Sequence, residues 1–138
     1  MRFPFISPTT HKGEGALMPF LPIQLHLQGR KVKIYGLLDT GATVNVLPYS
    51  IGLNLGAVWE NQTISLRLGG NLANTEARAL FVDAFVADFD KIQLAFAWSK
   101  SDNVPVLLGQ TNFFMEFDVL FSRSALFFEV TPKGILGQ

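Results

Sequence analysis

The segment that decides the fold spans residues 35–42 and reads Tyr-Gly-Leu-Leu-Asp-Thr-Gly-Ala. An apolar strand runs here directly into an acidic residue, Asp39, which a tight turn holds in place. Gly41 permits a close backbone approach or a positive φ, and the hydroxyl of Thr40 can both donate and accept hydrogen bonds. A carboxylate fixed in this way is predicted to serve chemistry and not only to carry a solvated charge.

By itself the tripeptide Asp-Thr-Gly is an ordinary turn sequence, because all three residue types are common in turns. The residues around it make a functional role more specific than the tripeptide alone does. Two leucines precede it, an alanine follows it, and a second apolar strand at residues 106–109 ends in a glycine, reading Val-Leu-Leu-Gly. The tripeptide therefore lies in a pattern, not in an isolated turn.

The rest of the chain predicts short strands with one buried face. Apolar residues alternate with polar ones over residues 21–28 and 31–38, with a turn at Gly29-Arg30, and again over residues 63–68, 76–86 and 92–98. Residues 104–108 and a hairpin over 119–130 add further strands, and helical spacing is predicted for 49–55 and 110–117. Glycines at residues 69–70 mark a mobile tip between two strands. The fold class is all-β with one or two short helices.

Composition excludes several classes of function. Apolar residues make up 49% of the chain and charged residues 16%, which indicates a globular protein. The net charge is zero and no run of Lys or Arg occurs, so neither a nucleic-acid nor a membrane partner is expected. The chain has no cysteine, and His11 and His26 are isolated; we therefore expect no metal site and no cofactor.

At this point the chain resembles the retropepsin-like aspartic proteases, and residues 22–47 are especially similar to bacterial single-domain members. That family has an apolar-apolar-Asp-Thr/Ser-Gly-Ala loop, a flap hairpin, and an apolar-apolar-Gly strand leading into a short helix. The matching segments here are residues 37–42, the hairpin near 69–74, and Leu107-Leu108-Gly109 followed by 110–117. The resemblance implies a half-barrel that homodimerisation closes.

The resemblance also implies an activity, that of an aspartic endopeptidase acting on a peptide or protein substrate. Two carboxylates share a water and one proton in this chemistry, because like charges held so close cannot both ionise. No second Asp-Thr/Ser-Gly occurs in the chain, so the second carboxylate is expected from Asp39 of a twofold-related subunit. The implied catalytic residues are Asp39, Thr40 and Gly41, and the implied substrate-binding residues are Ala42, Thr43, Gly69, Gly70 and Asn71.

The chain departs from the viral pattern at two positions. Viral members carry Asp after the alanine and Arg after the second glycine, where this chain has Thr43 and Gln110. Exchanging both partners replaces an ion pair by neutral hydrogen bonding, which need not destabilise the fold. Together with an unfamiliar flap sequence, this neutral pair motivates an alternative function, a catalytically inactive dimerisation or peptide-binding module.

The organisation along the chain is simple. Residues 1–18 are rich in Pro, Thr and Gly without periodicity and are predicted to form a flexible N-terminal arm. Residues 19–138 are predicted to form the retropepsin-like domain. No signal peptide and no run of 18 apolar residues is found, so the expected location is cytoplasmic.

Overall fold

The computed structural model describes residues 1–7 and 16–134, which form a mostly β structure with two short α-helices. In chain order the strands are β1 Arg2–Pro4, β2 Phe20–Leu27, β3 Arg30–Leu38, β4 Asn45–Leu47, β5 Ser65–Arg67, β6 Glu76–Phe85, β7 Ile92–Ser99, β8 Leu107–Leu108, β9 Phe117–Ser122 and β10 Phe127–Pro132. The α-helices are α1 Tyr49–Asn54 and α2 Phe113–Glu116, and 3-10 turns cover Trp59–Asn61 and Gly70–Leu72. The predicted class is confirmed.

The β2–β3 hairpin forms where the alternating pattern predicted it. Leu21, Ile23 and Leu25 point into the core and are almost fully buried. The turn is Gln28-Gly29, with φ of 47° and 85°, because a two-residue hairpin turn that matches strand twist needs positive φ at both positions. The predicted turn at Gly29-Arg30 is therefore wrong by one residue, since Arg30 already pairs with Leu27.

The large sheet has the strand order β2-β3-β8-β4-β7-β6-β5, and a further pairing between β2 and β6 closes it into a barrel. Two strands pair with the same edge of β6: β5 pairs with residues 76–78, and β2 pairs with residues 83–85. The β5–β6 hairpin consequently extends beyond the closed part of the barrel. The main apolar core contains Trp98 and Phe96 of β7 and Phe113 of α2, all essentially inaccessible to solvent.

The N-terminal residues differ from the predicted flexible arm. β1 pairs with β10 from Arg2↔Glu129 to Pro4↔Phe127, and Phe5 is 7% exposed. Burial of Phe3 and Phe5 against Phe128 outweighs the entropy of a free arm. The flexible-arm prediction is therefore wrong for residues 1–7.

Residues 8–15 and 135–138 lie outside the described residues, and with them His11 and the end of the predicted 19–138 domain. The boundary between arm and domain stays a prediction. Over the described part of the chain, no helix has the length and apolar character needed to cross a membrane.

Two elements after residue 103 are shorter than predicted. Only Leu107–Leu108 of the 104–108 segment is a strand, because Pro105 has no N–H to donate to a ladder. Only Phe113–Glu116 of the 110–117 segment is an α-helix. The N–H groups of Gln110 and Thr111 bond instead to the carbonyls of Ala42 and Thr43, at 2.9 Å each.

Candidate active site

The pairing of β3 with β8 positions Asp39. Leu37 and Leu38 lie parallel to Leu107 and Leu108, and the Asp39 N–H continues this ladder with a 3.0 Å bond to the carbonyl of Leu108. The chain then turns back, because the Ala42 N–H donates to the Asp39 carbonyl at 3.1 Å. Residues 39–42, here called the Asp39 loop, thus begin at a fixed point of the barrel wall.

The carboxylate of Asp39 is half-buried and oriented by its own loop. Its Oδ1 accepts a 2.9 Å hydrogen bond from the N–H of Gly41, and an added Cβ on Gly41 would lie 3.3 Å from the same oxygen. Of the residues described, none other donates a hydrogen bond to this side chain. One carboxylate oxygen is therefore fixed in position, while the other is left for a water, a substrate or a further group.

Gly109 brings the second glycine-terminated strand directly against the Asp39 loop. A Cβ at this position would lie 2.6 Å from the Ala42 carbonyl oxygen and 2.7 Å from that of Val44. Such distances are well inside van der Waals contact, and the oxygens belong to backbone that cannot rotate away. Only glycine fits here.

Gln110 supports the same loop from outside. Its side-chain Nε2 donates a 2.8 Å hydrogen bond to the carbonyl oxygen of Thr40. The expectation of neutral hydrogen bonding at Thr43 and Gln110 is met through backbone groups: Gln110 bonds Thr40, and the Thr43 carbonyl accepts from the Thr111 N–H. No charge is left unpaired by the exchange.

A buried amide network lies behind the loop and was not predicted from the sequence. The side chain of Asn45, on β4, is fully buried, and its Oδ1 accepts from the Gly109 N–H at 2.8 Å. Its Nδ2 donates to the Ala95 carbonyl at 3.0 Å and to Asn112 Oδ1 at 3.1 Å. A polar residue inside the apolar run of residues 44–47 was the available signal, because buried amides are almost always hydrogen-bonded.

A cavity of about 590 Å³ opens over the Asp39 loop, within the range typical of ligand sites. Of the described residues that line it, Asp39 alone is charged. The remaining lining is uncharged and, apart from Thr43, consists of apolar residues and glycines: Leu37, Gly41, Ala42, Thr43, Val44, Val46, Leu68, Gly69, Gly70, Leu72, Pro105 and Leu107. A single carboxylate on an apolar floor can hold a water and an uncharged carbonyl group.

The opposite wall of the cavity is residues 68–75, here called the tip segment, which connects β5 to β6. Leu68 is 4% exposed and packs with Val46, Ala77 and Val104 in a small apolar cluster separate from the main core. The backbone hydrogen bonds within the tip segment are local: for example, the Leu72 N–H donates to the Gly69 carbonyl, and the Thr75 N–H donates to the Leu72 carbonyl. The predicted hairpin is present, and its tip is a 3-10 turn.

The structure gathers most of the predicted site residues around this cavity. Asp39, Gly41, Ala42, Thr43, Gly69 and Gly70 all line it. Thr40 is exposed at the outer side of the loop and is not part of the lining, and Asn71 lies within the 3-10 turn Gly70–Leu72. Over residues 1–7 and 16–134, no group of three acidic or histidine side chains is arranged to hold a metal ion.

Comparison with known proteins supports the fold. The crystal structure of a retropepsin-like aspartic protease from Rickettsia conorii superposes with a TM-score of 0.60, covering 95% of this chain and 98% of that one. The chain has a retropepsin-like fold. The two sequences are 13% identical, so the likeness concerns architecture alone. No family model and no curated protein matches the chain.

Proposed function

We propose that the chain is an aspartic endopeptidase whose active site is completed by a second copy. The observation that carries this proposal is Asp39 itself. It is the one charged side chain among the described residues lining an apolar cavity, and Gly41 fixes one of its oxygens. The retropepsin-like architecture around it adds support.

A homodimer follows from the chemistry. Hydrolysis by this route needs one carboxylate to activate water and another to act on the carbonyl oxygen, and the lining offers a single carboxylate. We propose that a twofold axis passes beside the Asp39 loop, so that each subunit supplies one Asp39. The exposed Thr40 would then reach across the axis and hold the two loops together.

The proposed reaction balances within this pair. The ionised Asp39 takes a proton from the water as the water oxygen bonds to the carbonyl carbon. The protonated Asp39 of the other subunit gives its proton to the carbonyl oxygen. Collapse of the resulting diol breaks the C–N bond: the first carboxyl gives its proton to the leaving amine, and the second, now ionised, takes back a proton from one diol hydroxyl, so that a carboxylic acid is released and the starting protonation of the pair is restored. Activity is expected in the acidic range, because the pair must retain one proton.

The substrate is proposed to be an extended peptide lying between the Asp39 loop and the tip segment. Ala42 and Thr43 lie on the loop side, and Gly69, Gly70 and Asn71 lie on the tip side, where they would act as the flap. The absence of cofactor, nucleic-acid and membrane partners, and the cytoplasmic location, stay predictions from the sequence.

Asp39→Asn tests the proposal most directly. We expect the wild type to cleave members of a diverse peptide library between roughly pH 4 and 7. The variant should lose kcat/KM on the order of 10⁴-fold, because a neutral amide cannot accept the proton from water. Asp88→Asn is the matched control, since this exposed aspartate lies between β6 and β7 and the same charge is removed there.

A wild-type protein that cleaves no peptide in this range overturns the endopeptidase proposal. The alternative, an inactive dimerisation or peptide-binding module, then takes its place. In that case Asp39→Asn leaves dimerisation and peptide binding unchanged, which sedimentation and fluorescence anisotropy measure.

A further inference from the structure

Two rows of apolar residues lead out of the cavity along the face of the large sheet that is turned away from the main core. Side chains on one face of a sheet recur at every second residue of a strand, and residues paired across strands continue each row. Both rows cross β4, β7 and β6 and are here together called the apolar strip. Val44 directly precedes β4 and continues its register. The first row is Val46, Ala97, Ala79 and then Ile64, whose carbonyl accepts from the Ala79 N–H, and the second is Val44, Ala95 and Phe81.

The exposure of the strip increases with distance from the cavity. Val44 and Val46 line the cavity at the inner end. At the outer end Phe81 is 49% exposed and Ile64 is 53% exposed, and neither lines the cavity. The positions between the two ends carry only methyl side chains, at Ala79, Ala95 and Ala97. The strip is therefore a shallow groove with a low floor, which begins in the cavity and ends at two larger apolar side chains.

The chemistry of the strip favours an uncharged, apolar ligand group. None of its residues carries a charge or a side-chain hydrogen-bonding group. The next row on the same face is polar, because Asp83 pairs with Gln93 across the strands. Asp83 also forms an ion pair with Lys91 at 3.7 Å, so its charge has a partner outside the strip. This polar border limits the apolar surface to the two rows.

The outer end of the strip also offers free backbone groups. The Ala79 N–H donates to the Ile64 carbonyl at 2.9 Å, on the edge of β6 that carries β5 and β2. Phe81, two residues further, directs its own N–H and carbonyl to the same edge, since pairing alternates along a strand. The pairing with β2 begins only at residue 83. Among residues 1–7 and 16–134, none bonds to these two groups of Phe81, so a bound chain meets a donor and an acceptor there.

We infer that the apolar strip binds an apolar side chain of the peptide substrate, on a part of the substrate that extends beyond the cavity. The inference rests on the proposed function, in which the cavity holds an extended peptide. Phe81 lies two strands away from Val44, about 10 Å at the usual strand spacing. Each residue of an extended chain covers about 3.3 Å. The bound side chain therefore lies about three residues beyond the one that contacts Val44.

A peptide fits the strip better than a second copy of the chain does. A stable interface between proteins buries roughly 800 Å² on each partner, and the exposed part of the strip is little more than the side chains of Phe81 and Ile64. One extended chain needs only a narrow groove, and its main chain supplies partners for the free backbone groups of Phe81. The continuity of the strip with the cavity lets one peptide occupy both.

Peptide pairs that differ in one distal residue test the inference. A peptide that the wild type cleaves is lengthened by a short segment carrying either Phe or Ser, at the N-terminus in one pair and at the C-terminus in another. In at least one pair the Phe peptide should have a KM at least about 5-fold lower than the Ser peptide. The kcat should be the same for both, because a contact far from the cleaved bond stabilises the bound substrate and the transition state equally.

Phe81→Ala locates the effect on the strip. The variant should remove the difference in KM between the Phe and Ser peptides and leave cleavage of the Ser peptide unchanged. Phe81→Leu keeps an apolar side chain and should retain part of the difference. Leu53→Ala is the matched control, because it removes a comparably exposed apolar side chain, 44% exposed on α1, and the difference should stay. A general loss of fold would impair cleavage of both peptides equally.

The outcomes separate this inference from the proposed function. Cleavage of both peptides with equal KM overturns the inference and leaves the endopeptidase standing. If the wild type cleaves no peptide, fluorescence anisotropy with the same peptides, labelled, gives the readout: tighter binding of the Phe peptide that requires Phe81 supports the strip while the endopeptidase fails, and equal binding overturns both. If Phe81→Ala weakens self-association in sedimentation without changing the KM ratio, the strip is an interface between copies and the inference is wrong.

Discussion

The two walls of the cavity are held by different kinds of interaction. The Asp39 loop receives hydrogen bonds from the backbone and side chain of Gln110. Directly after the loop, the Thr43 carbonyl accepts from Thr111 and the Asn45 side chain accepts from Gly109, so the same two distant segments stay bonded. The tip segment keeps only local backbone bonds, such as Leu72 N to Gly69 O at 3.1 Å, and the packing of Leu68. One wall is fixed by long-range polar contacts and the other by a small apolar cluster.

This difference indicates which wall can move. Breaking the contacts around the Asp39 loop would leave buried polar groups such as the Gly109 N–H and the Asn45 amide without partners, each costing about 1–3 kcal/mol. Lifting the tip segment exposes little beyond Leu68 and Leu72, so local opening there is far less costly. We therefore expect the Asp39 carboxylate to stay in place when the opposite wall opens, which is the motion that the proposed peptide substrate would need.

Gly109→Ala, in the fixed wall, is expected to have the largest effect on stability. The new methyl group meets two backbone oxygens at under 3 Å, so we expect a loss of about 3 kcal/mol or more in the free energy of unfolding. Urea denaturation measures it. Gly69→Ala is the control and should change stability little, because no atom lies within 4 Å and φ is −94°. Equal stability of the two variants would contradict the rigid-wall description.

Asn45→Ala tests the amide network and should have the next largest effect. Removing the side chain leaves the Gly109 N–H without its acceptor in a buried site. It also takes one hydrogen bond each from the Ala95 carbonyl and from Asn112 Oδ1. We expect a loss of about 2–3 kcal/mol. Asn103→Ala, at an exposed position, should stay within about 0.5 kcal/mol of the wild type. A near-neutral Asn45→Ala would show that the backbone pairing alone holds the loop.

Leu68→Ala should have the smallest global effect and the largest local one. Because the Leu68 side chain is buried in a small cluster, we expect a loss of about 2 kcal/mol in the free energy of unfolding. Faster amide exchange should be confined to residues 68–75. Leu53→Ala, at a side chain that is 44% exposed on α1, is the control. Hydrogen exchange measured by mass spectrometry follows both. Faster exchange in the Asp39 loop as well would mean that the two walls are coupled.

Much of the barrel could be predicted because its signals are local. The alternation of buried residues predicted the β2–β3 hairpin, and Gly56, with φ of 81°, ends α1 close to the predicted residue. The errors lie where distant segments compete for the same backbone groups. The carbonyls of Ala42 and Thr43 accept hydrogen bonds from the Gln110 and Thr111 N–H groups, which would otherwise have begun a longer helix. The spacing of apolar residues does not predict this long-range pairing.

For the candidate site, too, local features were predictable from the sequence and long-range contacts were not. The sequence alone determined that an aspartate in an Asp-Thr-Gly turn follows an apolar strand, because residue type and order are sufficient for such a turn. Only the tertiary structure decided that Gly109 seats against this turn, that Asn45 fixes Gly109, and that β1 joins β10 and leaves β9 at the edge. These contacts depend on how far strands approach in space, which sequence spacing does not encode.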